Sequence, residues 1–132
     1  MALIGNCIYH TYTPTGETEE VEITNPNGNV ETIEKPTYNH IETSYEDVYV
    51  AIFKIDTQHH YLEQEDGSYI KNNVVFVDFG AYESKDARHS NPNEPLFQET
   101  TVIENYEFDE NTYSQGYDSI KLVSGMENLL ND

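Results

Sequence analysis

Apolar side chains recur along this chain mostly at every second position, and Thr, Val, Ile and Tyr are frequent. Alternation of that kind sends neighbouring side chains to opposite faces of an extended backbone, so it predicts strands. Residues 6–13 alternate Ile8, His10 and Tyr12 against Cys7, Tyr9 and Thr11, with a turn expected at 14–16. A hairpin follows over 17–36, turning at 25–28, where Pro26 presets φ and Gly28 accepts a positive φ. Another strand is expected after Pro36. Residues 46–56 form the best core strand, with Val48, Val50 and Ile52 on one face and Tyr49, Ala51, Phe53 and Ile55 on the other. Both faces are apolar, so this strand should be central and covered on both sides. Residues 59–72 read as strand, turn at 65–68, strand. Residues 73–84 are a second buried strand, Val75, Val77 and Phe79 facing away from Val74 and Phe76, with Asp78 breaking the second face.

Beyond residue 84 the pattern loosens. Residues 85–95 read as a loop with one helical turn, and 96–108 as a strand. The segment 109–130 changes character: Tyr113, Tyr117 and Ile120 fall at helical spacing, Asp109 or Asn111 can cap, Gly116 weakens the helix and Gly125 stops it. Strands joined by short turns predict a mainly β fold: an antiparallel β-sandwich or small barrel with a protruding hairpin and a short C-terminal helix. The 132 residues are enough for one domain with a core of its own. The acidic hairpin 17–36 is expected to serve as an arm.

Charge narrows the function. Twenty-five acids against six bases give a formal charge of −19. Such a surface repels phosphates and anionic membranes, so neither direct nucleic-acid binding nor a membrane partner is expected. No apolar run reaches bilayer length, and residues 1–13 lack the basic start of a secretory signal. Cys7 has no partner for an internal disulfide and sits in a strand pattern, where a small buried hydrophobe is the expectation.

No catalytic residue, cofactor or metal ligand is expected from the sequence. His59 and His60 are adjacent, with Glu63, Glu65 and Asp66 nearby, but strand neighbours point to opposite faces and cannot share one ion. His10, His40 and His89 are single and scattered. Residues 109–120 carry side-chain oxygens at Asp109, Glu110, Asn111, Ser114 and Asp118 without the spacing of a calcium loop. There is no nucleophile elbow, phosphate loop or dinucleotide fingerprint. Eleven Tyr, among them Tyr9, Tyr12, Tyr38, Tyr45, Tyr49, Tyr61 and Tyr69, favour a protein–protein surface.

Four stretches, "MALIGNCIYHTYTPTGETEE", "EDVYVAIFKID", "GAYESKDARHSNPNEPLF" and "ENTYSQGYDSIKLVSGMENLLND", together resemble small virion structural proteins of tailed phages, especially marine ones. The similarity lies in the order of elements and their texture, and it covers most of the chain. The resemblance implies a non-enzymatic part of a phage particle, such as a capsid decoration or tail-associated subunit. Such a subunit would be made in the bacterial cytoplasm and held in the virion by capsid or tail proteins, or as a homo-oligomer. The alternative is an acidic inhibitor that mimics DNA and binds a host DNA-binding enzyme. Either way the hairpin poses the sharper question. It carries six Glu and one Lys within 17–36, and only Val21, Ile23, Val30 and Ile33 give it an apolar side. These four are the expected interface residues. A two-residue loop would set Ile23 opposite Val30; a bulged loop would pair Val21 with Ile33 and split Val30 from that face.

Overall fold

The computed structural model describes residues 2–104 and 112–132. The chain is mainly β. Among the described residues five strands, β1 (Leu3–Thr24), β2 (Val30–Glu63), β3 (Tyr69–Tyr82), β4 (Phe97–Ile103) and β5 (Leu130–Asn131), form one antiparallel sheet in the order β4-β3-β2-β1-β5. The described residues also form two short helices, α1 (Lys85–Ser90) and α2 (Thr112–Lys121). The chain divides into two compact units. One comprises residues 1–9 and 44–132, the other residues 10–43. Among the described residues no helix is long and apolar enough to cross a membrane.

The first unit holds the core. Val48 to Ile52 are buried without a break, as expected of a strand covered on both faces. Val48, Val50 and Ile52 join Val75, Val77, Phe79 and Ala81 of β3 in the main core, with Tyr117 and Ile120 of α2, Met126 and Leu129 laid over them. Ala2, Tyr49 and Ala51 form a small cluster of their own. Burying each large aliphatic or aromatic side chain contributes about 1.5–3 kcal/mol, so this run of residues dominates the stability.

One expectation fails instructively. Alternation places Ile55 with Ala51, yet Ile55 packs against the main core. The pairing runs Ile52 to Phe79, then Lys54 to Asp78 and Ile55 to Val77, so Phe53 is an extra residue in a β-bulge. One inserted residue reverses the parity of everything beyond it. The bulge also alters which backbone groups need partners. The Ile52 N–H donates to the Tyr117 hydroxyl (3.2 Å), and the Arg88 guanidinium donates to the Ile52 carbonyl (3.4 Å). Gly116 lets α2 come this close: a Cβ there would lie 2.8 Å from Ile52 Cδ1. The glycine that weakens the helix in isolation is what seats it on the sheet.

Asp78 is half-buried and accepts a hydrogen bond from the Thr100 hydroxyl of β4 (2.5 Å). The expected helical turn after residue 84 is α1, capped by Ser84, whose Oγ accepts from the Ala87 N–H (3.1 Å). β4 occupies 97–103 of the strand expected over 96–108, and residues 105–108 lie outside the described residues, as do the proposed caps Asp109 and Asn111. α2 ends at Lys121; the chain then turns and returns as β5, pairing Leu130 with Ile4 and Asn131 with Leu3.

Candidate functional site

The second unit, residues 10–43, is the stretch of β1, turn and β2 that includes the expected interface. Its tip is a three-residue loop. The Gly28 N–H donates to the Asn25 carbonyl (2.9 Å), the Asn25 N–H donates to the Asn29 carbonyl (2.8 Å), and Gly28 has φ +87°. This is the bulged alternative of the two loops open from the sequence. Counted outward from Asn25 and Asn29, Val21 falls opposite Ile33, and Val30 falls opposite Thr24 on the other face. Burial follows the same division: Val21 and Ile23 are half-buried, whereas Val30 is 60% exposed. Val21, Ile23 and Ile33 are thus brought to one face, and Val30 is not.

The turn expected at 14–16 is a bulge inside β1 instead. The Thr37 hydroxyl donates to the Glu17 carbonyl (3.2 Å) and also bonds the Thr15 hydroxyl, so one side chain of β2 bridges two residues of β1. Gly16, at φ +81°, lies between them. Pro14 has no N–H to lose from the ladder, which suits it to this irregular place.

Past that bulge the two strands bring together residues that sequence reading treats as scattered. His10 Nδ1 lies 2.7 Å from His40 Nε2. Glu42 Oε1 lies 3.7 Å from the first nitrogen and 3.9 Å from the second. The His40 ring stacks on Tyr12, with centroids 4.7 Å apart and planes inclined by 8°, which fixes its orientation. Among the described residues this is the one group of three His, Cys, Asp or Glu whose ligand atoms all lie within 4.8 Å of one another. His10 is mostly covered, while His40 and Glu42 are open to solvent. The unit as a whole carries seven Glu and one Lys, which makes its field attractive to cations. The signal for this cluster was present in the sequence only as arithmetic. Pairing counted back from the turn brings residue 10 near the low forties, but the shift at Gly16 decides which of them it meets.

The remaining candidates separate. His59 pairs with Asn73 and His60 with Asn72; the ring of His59 bonds Asn73 and that of His60 bonds Gln58, so the two do not converge. The calcium-like stretch 109–120 falls partly outside the described residues, at Asp109, Glu110 and Asn111. Cys7 is buried as expected, and burial, aided by the charge of Glu99, pushes its thiol up to about 11, which leaves it a poor nucleophile. A cleft of about 530 Å³ lies between Phe53, Tyr82, Arg88, His89, Pro92, Asn93 and Gln98. Among the described residues it is lined by no carboxylate, and Arg88 is already engaged with the bulge carbonyl.

No family model, no curated protein and no solved structure matches the chain.

Proposed function

We propose that this protein is a non-enzymatic structural subunit that acts through protein–protein contacts. A tailed-phage virion is the assembly implied by the sequence resemblance, as a capsid decoration or tail-associated part. The observation that supports it best is the hairpin unit. It is a long two-stranded ribbon with Val21, Ile23 and Ile33 on one face, and its other large apolar side chains, Tyr12, Val30, Tyr38 and Ile41, are more than half exposed. Two-stranded ribbons are marginal in water, and apolar faces of this kind mark contact surfaces. Glu side chains around the apolar face keep the free subunit soluble. Many copies in one particle multiply a small contact into firm attachment. The finer fold expectation, a sandwich or small barrel with the hairpin standing out from it, belongs to the same reading: a hairpin of that kind is free to reach a neighbour.

Mass spectrometry of purified particles from the source culture tests the placement, and absence of the protein from them refutes it. At residue level, the double substitution Val21→Ser with Ile23→Ser should reduce assembly more than Glu20→Gln with Glu22→Gln. The opposite ranking would transfer the contact from the apolar face to the acids.

A further inference from the structure

We propose that His10, His40 and Glu42 form a binding site for a divalent transition metal of the zinc class, which clips the two strands of the hairpin unit together. The three ligand atoms make a triangle with sides of 2.7, 3.7 and 3.9 Å. Its circumradius, the product of the sides over four times the area, is about 2.0 Å, matching the ~2.0–2.2 Å of Zn–N and Zn–O bonds. The centre lies inside the triangle, because the square of the longest side is less than the sum of the other two squares. An ion placed there lies in the plane of the three atoms at bonding distance from each, and side-chain rotations that part the two rings and draw Glu42 Oε1 inward carry it toward a tetrahedral position.

Two imidazole nitrogens and one carboxylate oxygen suit zinc and its neighbours, whereas Ca²⁺ and Mg²⁺ require oxygen throughout. At 2.7 Å one imidazole nitrogen must hold a proton that the other accepts. Metal binding displaces that shared proton to solvent while the donor ring takes one up on its other nitrogen, so both imidazoles ligate in the neutral form, and the rings part to the ~3.3 Å separation of tetrahedral ligands. The stack of His40 on Tyr12 keeps the second imidazole aimed during this change. Exposure of His40 and Glu42 leaves the fourth position to water.

His10 belongs to β1, and His40 and Glu42 belong to β2, thirty residues further along the chain. A metal here joins the two strands of the ribbon at the end away from its turn. Local charge favours the cation, since the same unit carries seven Glu and one Lys.

The test uses the full chain and Zn²⁺ alone as the probe. Calorimetric titration at neutral pH should show one saturable site, with no heat from Ca²⁺ or Mg²⁺. Nuclear magnetic resonance of the imidazoles should show His10 and His40 shifting with added Zn²⁺ while His59, His60 and His89 stay in place. Changing even the outer partners of metal ligands costs about 10–100-fold in affinity. His40→Gln should therefore weaken binding by at least about tenfold, and the variant His59→Gln with His60→Gln should leave it unchanged. Amides within 10–43 should exchange more slowly in the zinc form. The proposal is overturned if no saturable uptake occurs, or if the resonances that move belong to His59, His60 or His89. Because the resonance readout is made on the unaltered protein, a variant that fails to fold does not blunt the test.

Discussion

Two stretches of the same strand, β2, behave as different materials. Residues 48–52 are buried on both faces, with Val50 fully inaccessible; residues 30–43 are mostly exposed, with Val30 at 60%. Both stretches are rich in the Val, Ile, Thr and Tyr that favour strands. Propensity therefore does not separate them; cover does. The first stretch is stabilised by what lies over it, the second by its turn and by whatever it meets. The same difference recurs at the far end of β2, where Tyr61 and Leu62 pair with Lys71 and Ile70 beyond the reach of β4 and are exposed again.

The comparison breaks most readily at the core. Phe79→Ala should lower the unfolding free energy by about 3–5 kcal/mol in urea titration, because a fully buried ring leaves a cavity. Ile33→Ala, in the hairpin unit, should cost less than about 1 kcal/mol. Equal losses would mean that the ribbon is as well covered as the core. A smaller effect is expected where α2 meets the sheet. Gly116→Val forces a branched side chain against Ile52 and should cost about 1–3 kcal/mol, and Gly116→Ala less.

The core should also respond to alkali. The Cys7 thiol is held up at about 11 against an unfolded value of 9.0, and burial raises the Tyr117 hydroxyl too. A raised acid binds its proton more tightly when folded, so this stability is complete below about pH 9 and drains away as pH rises through about 11. Denaturant midpoints measured from pH 8 to 11 should fall, and Cys7→Ala should flatten that fall. The smallest effect belongs to the 65–68 turn. Hydrogen bonds from the Ser68 hydroxyl and N–H hold the Asp66 carboxyl below its ordinary value. A depressed carboxyl stabilises above its unfolded value of 3.8 and loses the effect as pH falls through the folded one. Asp66→Asn should thus lower stability slightly at pH 7 and make no difference in strong acid.

Much of the body was legible because alternation is a local signal. Val48, Val50 and Ile52 against Tyr49 and Ala51 announce a doubly covered strand, and Val75, Val77 and Phe79 announce its partner. Gly28 and Gly67 mark the two turns, each closing a three-residue loop. What alternation cannot show is an inserted residue. Nothing around Phe53 announces the bulge that returns Ile55 to the core, and its partner, Tyr117, is 65 residues away from Ile52. The His10, His40 and Glu42 cluster was hidden for the same reason. Each residue looks ordinary within its own strand, and their meeting depends on a register shift at Gly16 that leaves no periodic trace.

The pairing of Leu3 with Asn131 has a consequence for how the molecule acquires its form. Closing a loop costs more entropy the longer it is, so the 10–43 ribbon, with its turn in its own middle, can zip early. The cover of the β1 edge comes from the opposite end of the sequence: β5 at Leu3 and Ile4, and the Gly125 carbonyl at the Ile8 N–H. A chain that has assembled β1 to β4 but not β5 presents an open edge at residues 3–8. Such an edge accepts any passing strand, including the Leu130–Asn131 segment of a sister molecule. Two residues at the end of the fold thus act as its guard against strand exchange, and a concentration-dependent dimer formed on refolding, but not by the native protein, would be the trace of that guard arriving late.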